Sequence, residues 1–291
     1  MDGRAAAPGA GTVVNALATG RGSAFALDLE TTASVRLDPD ATGVTGTIAG
    51  APDGDTTLIE RCVERVVGRY GTDEGGRVET DSEVPTAAGL KSSSAAANAT
   101  VLATLSALGL EVANDPDADV TKTEACRVGV RAAREAGVTV TGAFDDASAS
   151  MLGGVTVTDN ADDDLLAREE PFATHALVWT PPERAYSADA DASACERVAP
   201  MAALATELAL DGDYGRAMTV NGLAFSAALG FPTDPAVEAM ATCDGVSLSG
   251  TGPSVVAVGG RDDLATVRER WDERDGATRL VETRERGART L

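Results

Sequence analysis

Three short stretches of this 291-residue chain hold residue types that can do chemistry together. The first runs from Pro85 to Asn98 and reads P-T-A-A-G-L-K-S-S-S-A-A-A-N. An alternating, strand-like segment (Val78, Thr80, Ser82, Val84) leads into it, and an Ala- and Leu-rich helix follows to about Leu108. The three serines fall at the first turn of that helix, where several N–H groups have no partner of their own. Such a helix start attracts anions, and serine hydroxyls can bond phosphate oxygens or ligate magnesium. An ordinary N-cap with spare serines accounts for the same residues, so this stretch alone points only weakly to phosphate. The second stretch, V-T-V-T-G-A-F-D-D-A-S-A-S-M-L-G-G at 138–154, sets Asp145 and Asp146 side by side at the start of a brief helix. Capping explains one carboxylate but not both, beside Phe144 in an otherwise apolar run. The third is a glycine-rich turn, Ser249-Gly250-Thr251-Gly252-Pro253-Ser254.

The pattern P-x-x-x-G-L-x-S-S-[SA]-A resembles the second motif of the GHMP kinases, the family of galactokinase, homoserine kinase, mevalonate kinase and phosphomevalonate kinase. With its lysine and third serine, GLKSSSA is most similar to the archaeal shikimate kinases of that family. The turn at 249–254 resembles the family's third motif, about 160 residues downstream of Gly89 and in the right order. The resemblance covers nearly the whole chain. It implies a two-domain α+β fold: an N-terminal domain like the second domain of ribosomal protein S5, over 1–160, then a ferredoxin-like domain over 161–291. It implies ATP and Mg²⁺ as cofactors, and transfer of phosphate from ATP to shikimate. Homoserine or mevalonate kinase activity, or a non-catalytic relative that only binds a ligand, stand as alternatives.

The same resemblance distributes roles. Pro85, Thr86, Ala87, Ala88, Gly89, Leu90, Lys91, Ser92, Ser93, Ser94 and Ala95 would wrap the triphosphate. Lys91 would neutralise charge on the transferred phosphoryl. Counting back from Gly153-Gly154 without a gap puts Asp146 on the family's carboxylate near the acceptor hydroxyl; one insertion would put Asp145 there instead. The ungapped register also places Glu135, eleven positions before Asp146, on the magnesium-binding glutamate, with Ser93 as the second metal ligand. Arg21, Gly22 and Ser23 lie where the first motif contacts the acceptor, together with Gly250, Thr251 and Gly252. Arginine can grip a carboxylate with two bonds, although a solvent-facing turn arginine fits Arg21 equally well.

Ordinary periodicity supplies the elements that must position these groups. The N-terminal stretch reads as a strand, a turn at Gly20-Arg21-Gly22, and strands over Ala24–Leu29, Thr32–Leu37 and Gly43–Ile48. Thr57–Tyr70 is an amphipathic helix with Leu58, Ile59, Cys62, Val63, Val66, Val67 and Tyr70 on one face. A strand at 76–84 leads into the loop and its helix. A helix over Lys122–Ala136 ends at Gly137, and a short strand breaks at Gly142. A strand at Gly154–Thr158 precedes an acidic, irregular stretch at Asp159–Arg168, taken as the domain boundary. The second half reads as a strand at His175–Thr180 and helices at Ala194–Leu210, Tyr214–Leu229 and Pro235–Cys243. Two strands then flank the glycine-rich turn, before a helix at Asp262–Asp272 and a strand at Thr278–Glu282.

Composition excludes several functions. The net charge is −22, with 46 acidic residues against 24 basic ones, and a surface of that sign repels nucleic acid and anionic membranes. Only Lys91 and Lys122 are lysines. An Asp-rich, Lys-poor chain with regular apolar segments reads as a cytoplasmic protein of a salt-loving organism, without a signal peptide or membrane span. The four cysteines show no metal-type spacing, and Cys62 and Cys126 on apolar helix faces read as buried thiols. A single histidine, His175, rules out multi-histidine metal chemistry. No G-x-x-x-x-G-K-[ST] loop is present, so the P-loop type of shikimate kinase is not the model. Oligomeric state is not legible.

Self-repulsion among the carboxylates is unscreened in dilute buffer, where the screening length is roughly 30 Å at 0.01 M, and largely gone at about 3 Å in molar salt. Melting temperature and activity should therefore both rise from dilute buffer to molar KCl. Full activity and an unchanged melting temperature in dilute buffer would contradict the salt-adapted reading.

Overall fold

The computed structural model describes residues 1–139, 142–170, 173–183 and 191–291. Its first layer is a seven-stranded sheet. β1 (Asp2–Val14) pairs antiparallel with β2 (Arg21–Asp38), and β2 pairs with β4 (Gly75–Ser82), which takes β3 (Val44–Ile48) in parallel on its far side. The two strands expected at Ala24–Leu29 and Thr32–Leu37 are one 18-residue strand. No glycine or proline stands between Leu29 and Thr32, so nothing stops the alternation.

Against this sheet lie α1 (Thr57–Tyr70), α2 (Ser92–Ala107), α3 (Lys122–Glu135) and α4 (Phe144–Leu152). The expected apolar face of α1 is buried from Leu58 to Val67, and Tyr70 at its end is half-buried. α2 is buried around most of its girth from Ala95 onward, because its side chains are small and neighbours cover it on several sides. It sits so close to β1 that a Cβ on Gly3 would collide with the Ala103 carbonyl. After α2 the chain turns through the two-residue strands β5 (Val112–Ala113) and β6 (Val120–Thr121), neither of them expected, and α3 runs back along α2. α3 starts on a capping box, Thr121 with Glu124, and Gly129 packs on Ala97. The strand expected before Gly142 falls partly on residues outside those described.

Strand pairing carries the first sheet past residue 160. The stretch at 159–168, expected to be irregular, contains β8 (Asp164–Glu169), which pairs with β7 (Val155–Asp159) in the first sheet. The far C-terminus returns as well, as β13 (Arg289–Thr290) beside β1. Between them lies the second layer, β9 (His175–Thr180), β10 (Gly245–Leu248), β11 (Val255–Gly259) and β12 (Ala277–Glu282), in the spatial order β10-β11-β9-β12 and antiparallel throughout. That β-α-β-β-α-β sheet is ferredoxin-like. The helix expected at Ala194–Leu210 is split into α5 (Ala192–Glu196) and α6 (Ala199–Leu210), because Pro200 in the first turn of α6 has no N–H to continue the first helix. α7 (Tyr214–Leu229), α8 (Asp234–Met240) and α9 (Arg261–Trp271) complete the layer. Cys62 and Cys126 are buried free thiols, as expected. Among the described residues no helix is long and apolar enough to cross a membrane.

Candidate active site

The loop between β4 and α2 carries its chemistry in the backbone. Ala87, Gly89 and Lys91 have φ of 56, 76 and 66°, while Ala88 and Leu90 between them stay outside that region. Backbone of alternating hand curls successive N–H groups toward one side, a nest that suits an anion. Two of the three are not glycine, and a left-handed L-residue costs roughly 1–2 kcal/mol. Strain of this kind persists only where the surroundings enforce it, and it clusters at ligand sites. Lys91 is itself the N-cap of α2, makes no side-chain cap bond, and is followed by no acidic residue in the first turn. The serines therefore line the first turn rather than cap it, and Ser93 is exposed.

The glycine-rich turn between β10 and β11 closes onto this loop. Ser249 Oγ donates to the Gly89 carbonyl at 2.9 Å. A Cβ on Gly89 would collide with the Ser249 carbonyl, and one on Gly250 would lie 2.7 Å from Lys91 Nζ. Both positions need glycine for close approach as well as for positive φ. The Gly250 N–H donates to Thr12 Oγ1 at 2.7 Å, and Asn15 Nδ2 donates to the Gly250 carbonyl at 2.7 Å. The Asn15 N–H donates to Asn221 Oδ1, whose Nδ2 donates to Ser247 Oγ. One buried polar chain thus ties the end of β1, α7 and β10 to the turn. Gly252 packs on Phe231, and Thr251 is half-buried between the two glycines.

On α4 the two aspartates part company. Asp146 Oδ1 lies 2.9 Å from Lys91 Nζ, with the side chains 19% and 7% exposed respectively. Asp145 turns the other way and is buried against β2, where a Cβ on Gly22 would strike its carboxylate. Asn160 Nδ2 donates to Asp145 Oδ1 at 2.7 Å, and the Asp145 N–H donates to Asn160 Oδ1 at 3.0 Å. Burial, and then the charge of Asp146, push the Asp145 carboxyl up to about 7, against the opposing pull of Lys91 and Asn160. The segment 21–23 runs beside it: Arg21 pairs with Asp159 at 3.5 Å at the exposed start of β2, and Ser23 is buried.

The structure therefore brings together the 85–95 loop, Lys91, both aspartates, Gly22 and the turn at 249–252. Glu135 is not in that cluster. It is exposed at the end of α3, and Arg65 of α1 holds its carboxylate with two hydrogen bonds. Its carboxylate is committed there, away from the Lys91–Asp146 pair. Thr12, Asn15, Asn160 and Asn221 are the site residues the motifs did not reveal. Clefts of about 800 and 430 Å³ lie outside this cluster. The larger, at His175, Arg261 and Arg279, touches none of these residues, and the smaller, at Trp179 and Phe231, backs onto Pro253.

Asp145 gives the site a pH signature. Its folded-state pKa is raised above the ordinary carboxylate value, so the native protein holds this proton more tightly than the unfolded chain. That contribution is complete at acid pH and is lost as pH rises through about 7. Urea denaturation of Asp145→Asn in molar KCl should show the variant gaining stability relative to the parent between about pH 5 and pH 8. A difference that stays flat across that range would show that Asp145 does not titrate there.

Comparison with known proteins agrees with this arrangement. The N-terminal domain model of the GHMP kinases matches residues 57–154. A shikimate kinase of Halobacterium salinarum is 64% identical over 290 residues, covering all of both chains. One of Methanosarcina mazei is 49% identical, covering 97% of this chain and 94% of that one. Among solved structures, homoserine kinase from Cytophaga hutchinsonii superposes with a TM-score of 0.77 at 18% identity, over 100% and 97% of the two chains. Galactokinase from Lactococcus lactis does so with a TM-score of 0.75 at 13% identity, over 100% and 95%. The structural matches speak for the fold, and the full-length sequence matches for descent: this chain belongs to the GHMP kinase family.

Proposed function

We propose that the chain transfers the γ-phosphoryl group of MgATP to shikimate, giving 3-phosphoshikimate and ADP. The observation that carries this reading is the Lys91–Asp146 pair, largely shielded from water and set between an anion nest and a glycine-rich turn. The full-length relatives named shikimate kinase support the choice of acceptor. Phosphoryl transfer asks a protein mainly for positioning and charge stabilisation. Residues 85–95 receive the phosphates. Asp146 orients the acceptor hydroxyl and takes its proton, and Lys91 answers the charge that develops on the phosphoryl oxygens. Arg21, at the mouth of the site, is the cation for the acceptor's carboxylate, with Gly22, Ser23 and the turn at Gly250, Thr251 and Gly252 shaping its walls. Asp145, buried and clamped, does not face the acceptor.

Magnesium, bound with the nucleotide, would neutralise charge on its phosphates. It keeps several waters and binds through one or two carboxylates plus phosphate oxygens. The exposed Ser93 hydroxyl would be one ligand, and Glu135 would be the carboxylate only on leaving Arg65, which holds it in this structure. A homoserine kinase is the weaker reading, because the resemblance implies that homoserine kinases lack the acceptor-side carboxylate that the ungapped register assigns to Asp146. The acidic chain and its lack of a described membrane-length helix suit a cytoplasmic enzyme acting on small molecules, not on nucleic acid.

Three measurements test this reading. ADP release in molar KCl, with shikimate, homoserine and mevalonate offered separately, should depend on shikimate; equal or greater release with another acceptor would overturn the assignment. Asp146→Asn should lower turnover by about 10²–10⁴, the usual range for an acid–base group, with MgATP affinity little changed. Near-normal turnover would mean that Asp146 does no proton chemistry. Ser93→Ala should leave the melting temperature unchanged, alanine being a good helix former, while raising the magnesium concentration needed for half-maximal activity. Normal magnesium dependence would remove Ser93 from the metal's ligands.

A further inference from the structure

Asp146 works only if the first turn of α4 holds it toward Lys91, and nothing on that helix's own N-terminus does so. The N-cap is Ala143, in the left-handed region at φ 53°, with no side chain able to cap. The cap comes from 15 residues away. Asn160, in the turn between β7 and β8, accepts from the Asp145 N–H at 3.0 Å and donates through Nδ2 to Asp145 Oδ1 at 2.7 Å. It grips both the main chain and the side chain of the residue next to Asp146.

Asn160 is itself held from three sides. Its Oδ1 accepts a second bond, from Thr158 Oγ1 at 2.9 Å, while the Asp145 N–H, which can only donate, fixes which way round the amide sits. Its N–H donates to the Gly20 carbonyl at 2.9 Å, just before Arg21. Its carbonyl accepts from Arg134 Nη2 on α3 at 3.2 Å. Asn160 is buried, and its side-chain bonds to Asp145 and Thr158 are shielded from bulk water. A carboxylate at 160 could accept from the Asp145 N–H but could not donate to Asp145 Oδ1; an apolar residue could do neither.

We infer that Asn160 is a positioning residue for phosphoryl transfer: by capping α4 from the β7–β8 turn and clamping Asp145, it sets Asp146 against Lys91. The inference rests on the reading of Asp146 as the residue that handles the acceptor's proton. The clamp also registers the helix to the 21–23 segment, because Gly22 packs directly on the clamped carboxylate. Asn160 is buried and grips Asp145, the neighbour of Asp146, so on this inference its effect runs through Asp146.

A double-mutant cycle isolates that route. Asn160→Ala should lower kcat with shikimate by about tenfold or more, within the span of coupling measured for residues sharing one network, and leave KM for MgATP within about twofold. In an Asp146→Asn background the same substitution should cost almost nothing, because the group it positions is gone. A purely structural role would instead lower kcat by the same factor in both backgrounds, or track only the loss of melting temperature, and either result overturns the inference. Thr158→Val, nearly isosteric, removes one of the bonds that fix the amide and should give a smaller fall in kcat that also vanishes with Asp146→Asn. That variant keeps the test decisive if Asn160→Ala does not fold. Unchanged kcat in Thr158→Val and in a folded Asn160→Ala would also overturn the inference. Full turnover in Asp146→Asn alone would strike the proposed role of Asp146 instead, a result the cycle reports separately.

Discussion

The site depends on one ion pair set where there is little water. Removing an ammonium from water is costly without a counter-charge beside it, and Asp146 supplies that charge to Lys91 at 2.9 Å. A shielded pair of this kind adds little net stability, since desolvation offsets most of the attraction; its use lies in fixing where the charges sit. Three parts of the chain converge to hold it. The left-handed backbone at Lys91 turns the residue at the head of α2, α4 brings the carboxylate, and the Gly250 turn lies over the ammonium with no room for a side chain. Loss of either partner would leave the other shielded and unpaired, so the pair also couples the loop to α4.

On the proposed reaction, the pair suits the movement of charge. As the acceptor oxygen attacks, negative charge spreads over the phosphoryl oxygens while the hydroxyl gives up its proton. On the roles proposed for them, Lys91 would answer the first change and Asp146 the second. Interactions that strengthen only in the transition state are those that raise the rate. The resting pair therefore keeps both groups oriented without committing either to the ground state. Its shielding matters here, because the same charges in bulk water would be worth far less.

Much of this was legible before any coordinates. The serine loop, the paired aspartates and the glycine-rich turn were visible because each concentrates unusual residue types in a short window, and the helices because apolar spacing at 3.6 is a strong local signal. What stayed hidden was tertiary. β8 read as irregular because its exposed side chains are mixed and acidic, and only its pairing with β7 makes it a strand. β13 is two residues long and reveals itself only by returning to β1. Which of two adjacent aspartates faces Lys91 depends on how α4 is rotated about its axis, and Asn160 helps to set that rotation from another element. The buried amides of Asn15, Asn160 and Asn221 share this character. An asparagine can donate and accept at once without charge, so it suits a buried junction, yet in sequence it reads as a turn residue.

The use of lysine follows from the same constraint on charge. In a chain with 46 acidic residues, the cations outside the sites of Lys91 and Lys122 are all arginine or the lone histidine. Both lysines point inward. Lys91 serves the site, and Lys122, at the start of α3, donates to the Ala288 carbonyl at 2.7 Å, where burial, with Arg168 nearby, holds its ammonium below the usual lysine range. That bond fastens the segment leading to β13, the part of the C-terminus that closes the first sheet. Arginine stays charged and spreads its charge over a planar fork, which fits the exposed pairs with Glu30, Glu135 and Asp163. Lysine carries a compact charge on a flexible stem, which suits a single oxygen at the end of a narrow approach. The division of labour makes the acidic surface and the cationic site parts of one arrangement, with the compact cations kept where one oxygen must be met.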